Sequence, residues 1–270
     1  MRTILKISCI AIFSFFAQIS IAQYTAAYND PDAAFKAAKE FYQKNQYSLA
    51  YPLFKELFNN GVFKSNFPVS IQTESKYYYV TCGLKLNDAT AVQLAIDFID
   101  LEHHSPRIEM LSFELAEYYF RQQLYGEAIV YYEKAGIENL TNSEIALLKF
   151  HKGYAHFVQQ QFTEAKPYFD AVRQMPKSQN YISANYYFGF ISFAEKKYND
   201  ALSSFLIAES SQDYQHIVPF YIAEIKYFTG HHEEALSIAE KAIQDGGQYY
   251  DLQLKQLAGH LYFDKKDKYY

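Results

Sequence analysis

The sequence predicts an all-α array of repeated helix pairs, and three observations carry the prediction. A short phrase ending in alanine recurs: Tyr47-Ser48-Leu49-Ala50, Tyr125-Gly126-Glu127-Ala128, Phe162-Thr163-Glu164-Ala165, Tyr198-Asn199-Asp200-Ala201 and His232-Glu233-Glu234-Ala235. A weaker copy, Asp88-Ala89-Thr90-Ala91, falls between the first two. Successive alanines stand 34 to 41 residues apart, and a period in that range marks a stacked array rather than one compact core. Elsewhere apolar residues recur at three and four positions rather than two, and no hairpin signal joins two alternating runs.

The first residues read as an address. Arg2 and Lys6 precede an apolar run from Ile7 to Ile21, shorter than the roughly 20 residues that span a bilayer. Ser20-Ile21-Ala22 has the small-x-small pattern of a cleavage point before Gln23, so residues 1–22 are expected to be a cleaved secretory signal. Cys9 lies inside the apolar run rather than just after that point, which argues against a lipid anchor.

The first helix pair is expected over 31–60, around Ala50. The stretch from Gly61 to Ser70, with Pro68, lengthens the first interval and reads as a surface loop. Further pairs are expected over 71–103, 106–137, 142–174, 179–210 and 214–244, around Ala91, Ala128, Ala165, Ala201 and Ala235. In the fourth pair the second helix runs from Thr163 through Phe169 and Val172, and Pro176 stops it. Gly246-Gly247 stops the sixth pair as a helix end, not a phosphate cradle. One more helix starts near 249. There Leu257-Ala258-Gly259 repeats the first-helix phrase and places the next alanine at 271, so the array is expected to continue in a longer protein.

Spacing inside each unit is as regular as spacing between units. A small residue stands twelve positions before the alanine, with aromatic or small residues four and seven after it. These are Gly153, Phe169 and Val172 around Ala165, then Gly189, Phe205 and Ala208 around Ala201, and Ala116, Tyr132 and Ala135 around Ala128. Two antiparallel helices cross closely only where both present small residues, with a ring filling the wedge beside them. The pattern closely resembles the tetratricopeptide repeat, a helix-turn-helix unit of about 34 residues. That resemblance covers nearly all of 31–270, as six units and part of a seventh, and implies a right-handed α-solenoid. The chain departs from the family in having no tryptophan, and only Pro176 lies near the family's closing proline.

Composition narrows the partners. Without residues 1–22 the chain keeps 23 basic residues against 30 acidic ones, a balance of −7. A surface of that sign repels phosphate backbones, so nucleic acid is not an expected partner. Cys82 is then the one remaining cysteine. It cannot close an internal disulfide, and it is expected to be buried on a helix rather than reactive. With 27 Tyr and 23 Phe, ring area supplies the interior between helices.

In the family the first helices line a concave face where ligands bind, and this resemblance points to positions fifteen and eight before each alanine. In this chain they are Phe35 and Tyr42, Phe113 and Phe120, Phe150 and Phe157, Tyr186 and Phe193, Phe220 and Tyr227. Tyr154, Phe190, Glu117 and Glu224 lie on the adjoining row. One reading is a ring-lined groove for an extended or helical peptide, its acids suiting a basic segment; the other is packing between neighbouring inner helices. Under the first, Phe113, Tyr154 and Tyr186 should be the most exposed rings. Lys39, Lys76 and Arg121 are scattered candidates for the carboxylate clamp of the family's chaperone-binding members, and they fit it poorly. His103-His104 and His231-His232 are adjacent pairs, which seldom chelate one ion because neighbours on a helix diverge by about 100°; they read as helix ends. No cofactor is expected, and no nucleophile elbow, P-loop, dinucleotide or zincin motif is present.

The expectation is therefore an exported, non-catalytic scaffold of the periplasm or cell envelope that binds proteins or peptides. It would serve an assembly, secretion or motility complex and meet the membrane only indirectly, through such complexes. The rival is the helical N-terminal portion of a larger envelope enzyme such as a lytic transglycosylase. An α/α-toroid glycosidase would need paired inward carboxylates, which regular units do not offer.

Overall fold

A computed structural model describes residues 31–63, 68–101 and 106–267. The expected signal segment, His103-His104 and residues 64–67 lie outside the described residues. Those described form thirteen α-helices joined by turns, with no strand among them. In pairs these are α1 (Pro31–Gln43) and α2 (Tyr47–Phe63), α3 (Val69–Lys85) and α4 (Thr90–Leu101), and α5 (Pro106–Arg121) and α6 (Tyr125–Lys134). Then come α7 (Asn142–Val158) and α8 (Phe162–Arg173), α9 (Tyr181–Ala194) and α10 (Tyr198–Ala208), α11 (Val218–Phe228) and α12 (His232–Asp245), and finally α13 (Asp251–Asp267).

The recurring phrase is a helix start. Its first residue opens α2, α6, α8, α10 and α12. Two residues earlier the backbone turns left-handed, at Asn45, Gln123, Gln160, Lys196 and Gly230. Such a residue lets the following N–H reach back across the helix end, and the bonds are present: Gln46 N–H to Phe41 O, Gln161 to His156, Lys197 to Ser192 and His231 to Lys226. This closure of a helix C-terminus by a 6→1 bond explains how these pairs turn within three residues. Only one of the five positions is glycine, so the row was not evident from composition.

The second pair is joined differently, by four residues, 86–89. Its left-handed residue, Asn87, precedes Ala91 by four positions rather than five, and Asp88 caps α4. Asp88 Oδ1 accepts from the Thr90 backbone N–H at 2.9 Å, and Oδ2 accepts from the Tyr51 hydroxyl at 2.6 Å. The weaker phrase is thus a different cap at the same joint. The stretch from Gly61 to Ser70 also departs from the surface loop expected there. α2 continues through Phe63 and α3 begins at Val69, because the apolar spacing of Phe54, Leu57 and Phe58 carries the helix past Gly61.

Two compact units divide the chain. One comprises residues up to 123 together with 133–139, the other 124–132 together with 140 onward. In the first unit α2 packs against α1 and α3, and α5 packs against α3 and α4. Arg121 closes the end of α3 by donating to Leu84 O at 2.7 Å and Asn87 Oδ1 at 3.0 Å. Lys85 pairs with the buried Glu114, whose carboxyl burial holds above its ordinary range despite that lysine. In the second unit α7–α13 pack in sequence order. Thr141 opens α7 with a reciprocal capping box to Glu144, which satisfies two donors at the helix start.

Close crossings fall where the spacing places them. Ala50, Ala128, Ala165, Ala201 and Ala235 are fully buried. A Cβ built on Gly153 would lie 3.0 Å from Tyr168 Cβ and 3.2 Å from Phe169 Cε1, and one on Gly189 would lie 3.0 Å from two ring carbons of Phe205. The second pair uses Gly83 instead, where a Cβ would sit 2.6 Å from that of Ala91.

Candidate protein-binding groove

In the second unit the stripe residues lie on α7, α9 and α11, and every one of them is half-buried: Phe150, Tyr154, Phe157, Tyr186, Phe190, Phe193, Phe220, Glu224 and Tyr227. Their rings bridge neighbouring first helices. Phe157 meets Tyr187 at 4.9 Å and Phe190 at 5.5 Å between centroids, and Phe193 meets Tyr221 at 5.3 Å, all edge-on. Edge-to-face pairs at these distances add to the area they bury. The stripe is therefore part of the packing between units of the array and keeps one side toward solvent.

Tyr187 and Tyr221 are the central rings the sequence reading missed. Each stacks on a ring of the preceding pair's second helix, Tyr187 on Phe169 at 5.2 Å and Tyr221 on Phe205 at 5.1 Å. They stand fourteen positions before Ala201 and Ala235, one residue beyond the stripe, and Tyr77 holds the same place before Ala91. That recurrence was the available signal. Burial pushes both hydroxyls above the ordinary tyrosine range.

In the first unit Phe35 and Tyr42 are half-buried as well, and the stripe closes only on α5. Phe113 and Glu117 are buried, while Phe120 is half-buried. Phe113 was expected among the most exposed rings. It is instead 4 % exposed, because α5 lies against both α3 and α4 and carries eight consecutive buried residues from Leu111 to Tyr118. The other two, Tyr154 and Tyr186, are half-buried like the rest of the stripe in the second unit. The scattered cations are occupied locally. Lys39 lies over the rings of Phe35 and Tyr78, Lys76 lies over Phe98, and Arg121 caps α3.

The stripe opens between α11 and α13. Phe220, Glu224 and Tyr227 line one wall, and Leu257, His260 and Phe263 stand on the other, enclosing about 1020 Å³. Asp264 adds a second carboxylate, and among the described residues no Lys or Arg lines the groove. Partial burial holds the Glu224 carboxyl above its usual range, as desolvation does for any charge without a cation beside it.

The remaining sequence candidates occupy structural places. His231 precedes α12 with Nδ1 3.1 Å from the Thr229 hydroxyl, and His232 is the first residue of α12. Gly246 ends that helix at φ +72°. Cys82 is buried on α3, where desolvation pushes its thiol up to about 12.

No protein-family model matches the chain, and no curated protein matches it. Solved structures do. YrrB, described as a tetratricopeptide protein with an unusual peptide-binding site, matches with a TM-score of 0.55 and 17 % identity, over 77 % of this chain and 96 % of that one. PilF of Pseudomonas aeruginosa matches with a TM-score of 0.52 and 12 % identity, over 85 % of this chain and 97 % of its own. The apo form of RapI matches with a TM-score of 0.51 and 12 % identity, over 88 % of this chain and 72 % of its own. The fold is that of the tetratricopeptide-repeat proteins: an all-α solenoid of helix pairs.

Proposed function

We propose that this chain is an exported, non-catalytic scaffold that takes a segment of a partner protein into the groove between α11 and α13. The groove carries the reading. Phe220, Tyr227, Leu257 and Phe263 offer ring and aliphatic surface, while Glu224 and Asp264 stand without a lining cation. The complementary segment is apolar with at least one Lys or Arg, which would neutralise a carboxylate already partly desolvated. A fold shared with a protein described as having a peptide-binding site supports the same direction. Export rests on the basic and apolar start of the sequence, and with it the placement in an envelope assembly, secretion or motility complex.

Two measurements test this. The protein recovered from its native cell should begin at Gln23 and fractionate with the envelope or periplasm; an intact Met1 in the cytoplasm would refute export. Affinity capture should recover a partner that the Glu224→Lys, Asp264→Lys double variant no longer holds, with an unchanged circular dichroism spectrum. Equal capture by both forms would refute the groove as the binding site.

A further inference from the structure

The stripe on α7, α9 and α11 is continuous, shallow and almost free of charge. Its rings touch from one first helix to the next. Tyr154 meets Tyr187 at 5.5 Å between centroids, Phe157 meets Phe190 at 5.5 Å, and Phe190 meets Tyr221 at 5.9 Å, all edge-on. Rings this close leave no trough for an α-helix, which with its side chains is about 10–12 Å across. Apart from Glu224, the polar atoms of the stripe are phenol hydroxyls, at Tyr154, Tyr186 and Tyr227, and each has one proton to donate. An ordinary extended chain brings an N–H as well as a carbonyl at every residue, and the described residues hold no strand whose edge could pair with it. Proline has no N–H, so a proline-rich chain presents only carbonyl acceptors and apolar rings. Spacing agrees. Packed helices lie about 8–10 Å apart, and one turn of polyproline II, three residues rising about 3.1 Å each, covers about 9 Å. Each turn of such a chain therefore meets one first helix.

We propose that this stripe seats a proline-rich segment of a partner protein in the polyproline II conformation, with a Lys or Arg at the end that reaches α11. Three first helices accommodate about three turns, or about nine residues. The prolines lie across the rings of Phe157, Phe190 and Phe193, and their carbonyls accept from the tyrosine hydroxyls. A proline helix is already formed before it docks, so little conformational entropy is lost on an aromatic surface of this kind. Charge fixes the register. Glu224 is the single charged residue of the stripe and stands half-buried on α11. A cation is therefore drawn to that end, an acidic segment is turned away, and the turns over α9 and α7 are left neutral. This seat rests on the groove reading for the cation at Glu224 and extends it along α9 and α7.

The probes are fluorescein-labelled decaproline, decaproline with a lysine added at either end, and a flexible peptide of Leu, Ala and Ser that carries the same lysine. Fluorescence anisotropy should show saturable binding of decaproline to the whole chain. A lysine at one of the two ends should tighten it several-fold, and rising salt should remove that gain. Glu224→Gln should remove the gain too, without weakening plain decaproline. Tyr154→Phe together with Tyr186→Phe keeps both rings and deletes two donors. Affinity for decaproline should then fall by about fivefold, with an unchanged circular dichroism spectrum and melting transition. Binding of decaproline that is indifferent to this pair overturns the stripe as its seat. If decaproline fails to bind while the flexible peptide binds in a Glu224-dependent way, the polyproline seat is overturned and the groove reading stands. If neither peptide binds, both are overturned.

Discussion

Replacing Gly189 by leucine tests the crossing geometry on which the whole array depends. A Cβ at this position lies 3.0 Å from Cδ1 and Cε1 of Phe205 and 3.3 Å from Cζ, tighter than ordinary van der Waals contact before any further carbon is added. Phe205 is fully buried and stacked on Tyr221 at 5.1 Å, so its ring has nowhere to move without displacing the next pair. Overpacking of this kind costs roughly 1–3 kcal/mol. Leucine recovers up to about 1 kcal/mol of helix propensity over glycine, so a full recovery leaves a net loss of up to about 2 kcal/mol. For a chain of this size that lowers Tm by up to roughly 8 °C. Phe205→Ala alone removes a buried ring and costs about 3–5 kcal/mol. In the double variant the leucine occupies part of the space the ring leaves, so the combined loss should fall short of additive by about 0.5–3 kcal/mol. Thermal melts of the four proteins, followed by circular dichroism, supply the cycle. An unchanged Tm for Gly189→Leu, or strict additivity in the double variant, would refute the placement of Phe205 against Gly189.

Gln160 holds φ +61° without being glycine, and relieving that strain with Gln160→Gly should raise stability by up to about 1 kcal/mol, whereas Gly230→Ala, at φ +81°, should lower it by about 1 kcal/mol. Melting both variants checks the pair, and opposite signs are expected. Cys82, buried with its thiol pushed up to about 12, should not react with a thiol reagent at pH 8 in the folded protein and should react fully in denaturant. The Tyr51 hydroxyl and Thr90 hold the Asp88 carboxyl below its ordinary value, so its stabilising contribution is present above the unfolded value of about 3.9 and is lost as pH falls through the folded value. Urea unfolding at pH 5 and pH 3 should therefore show a smaller acid loss in Asp88→Asn than in the parent.

The sequence by itself determined where the helices are and which residues meet at the close crossings. A small residue twelve positions before a small residue, with a ring four after it, is a local record of a contact that recurs in several pairs, and repetition made it readable at Ala165 and Ala201 without any coordinates. The left-handed turn residues escaped because Asn45, Gln123, Gln160 and Lys196 do not advertise the conformation that Gly230 does; the 6→1 bond at the helix end imposes it. Tertiary structure alone decided which stripe rings stay open. Phe113, Phe150 and Phe220 share one register position, yet Phe113 is buried while the other two are half-buried. Burial depends on what the neighbouring helices place over a position, and α5, pressed between α3 and α4, has both sides taken. The groove beside α13 was equally hidden from the sequence. Its far wall is built from Leu257, His260 and Phe263, whose spacing says that they share a helix face but not that the face turns toward Glu224.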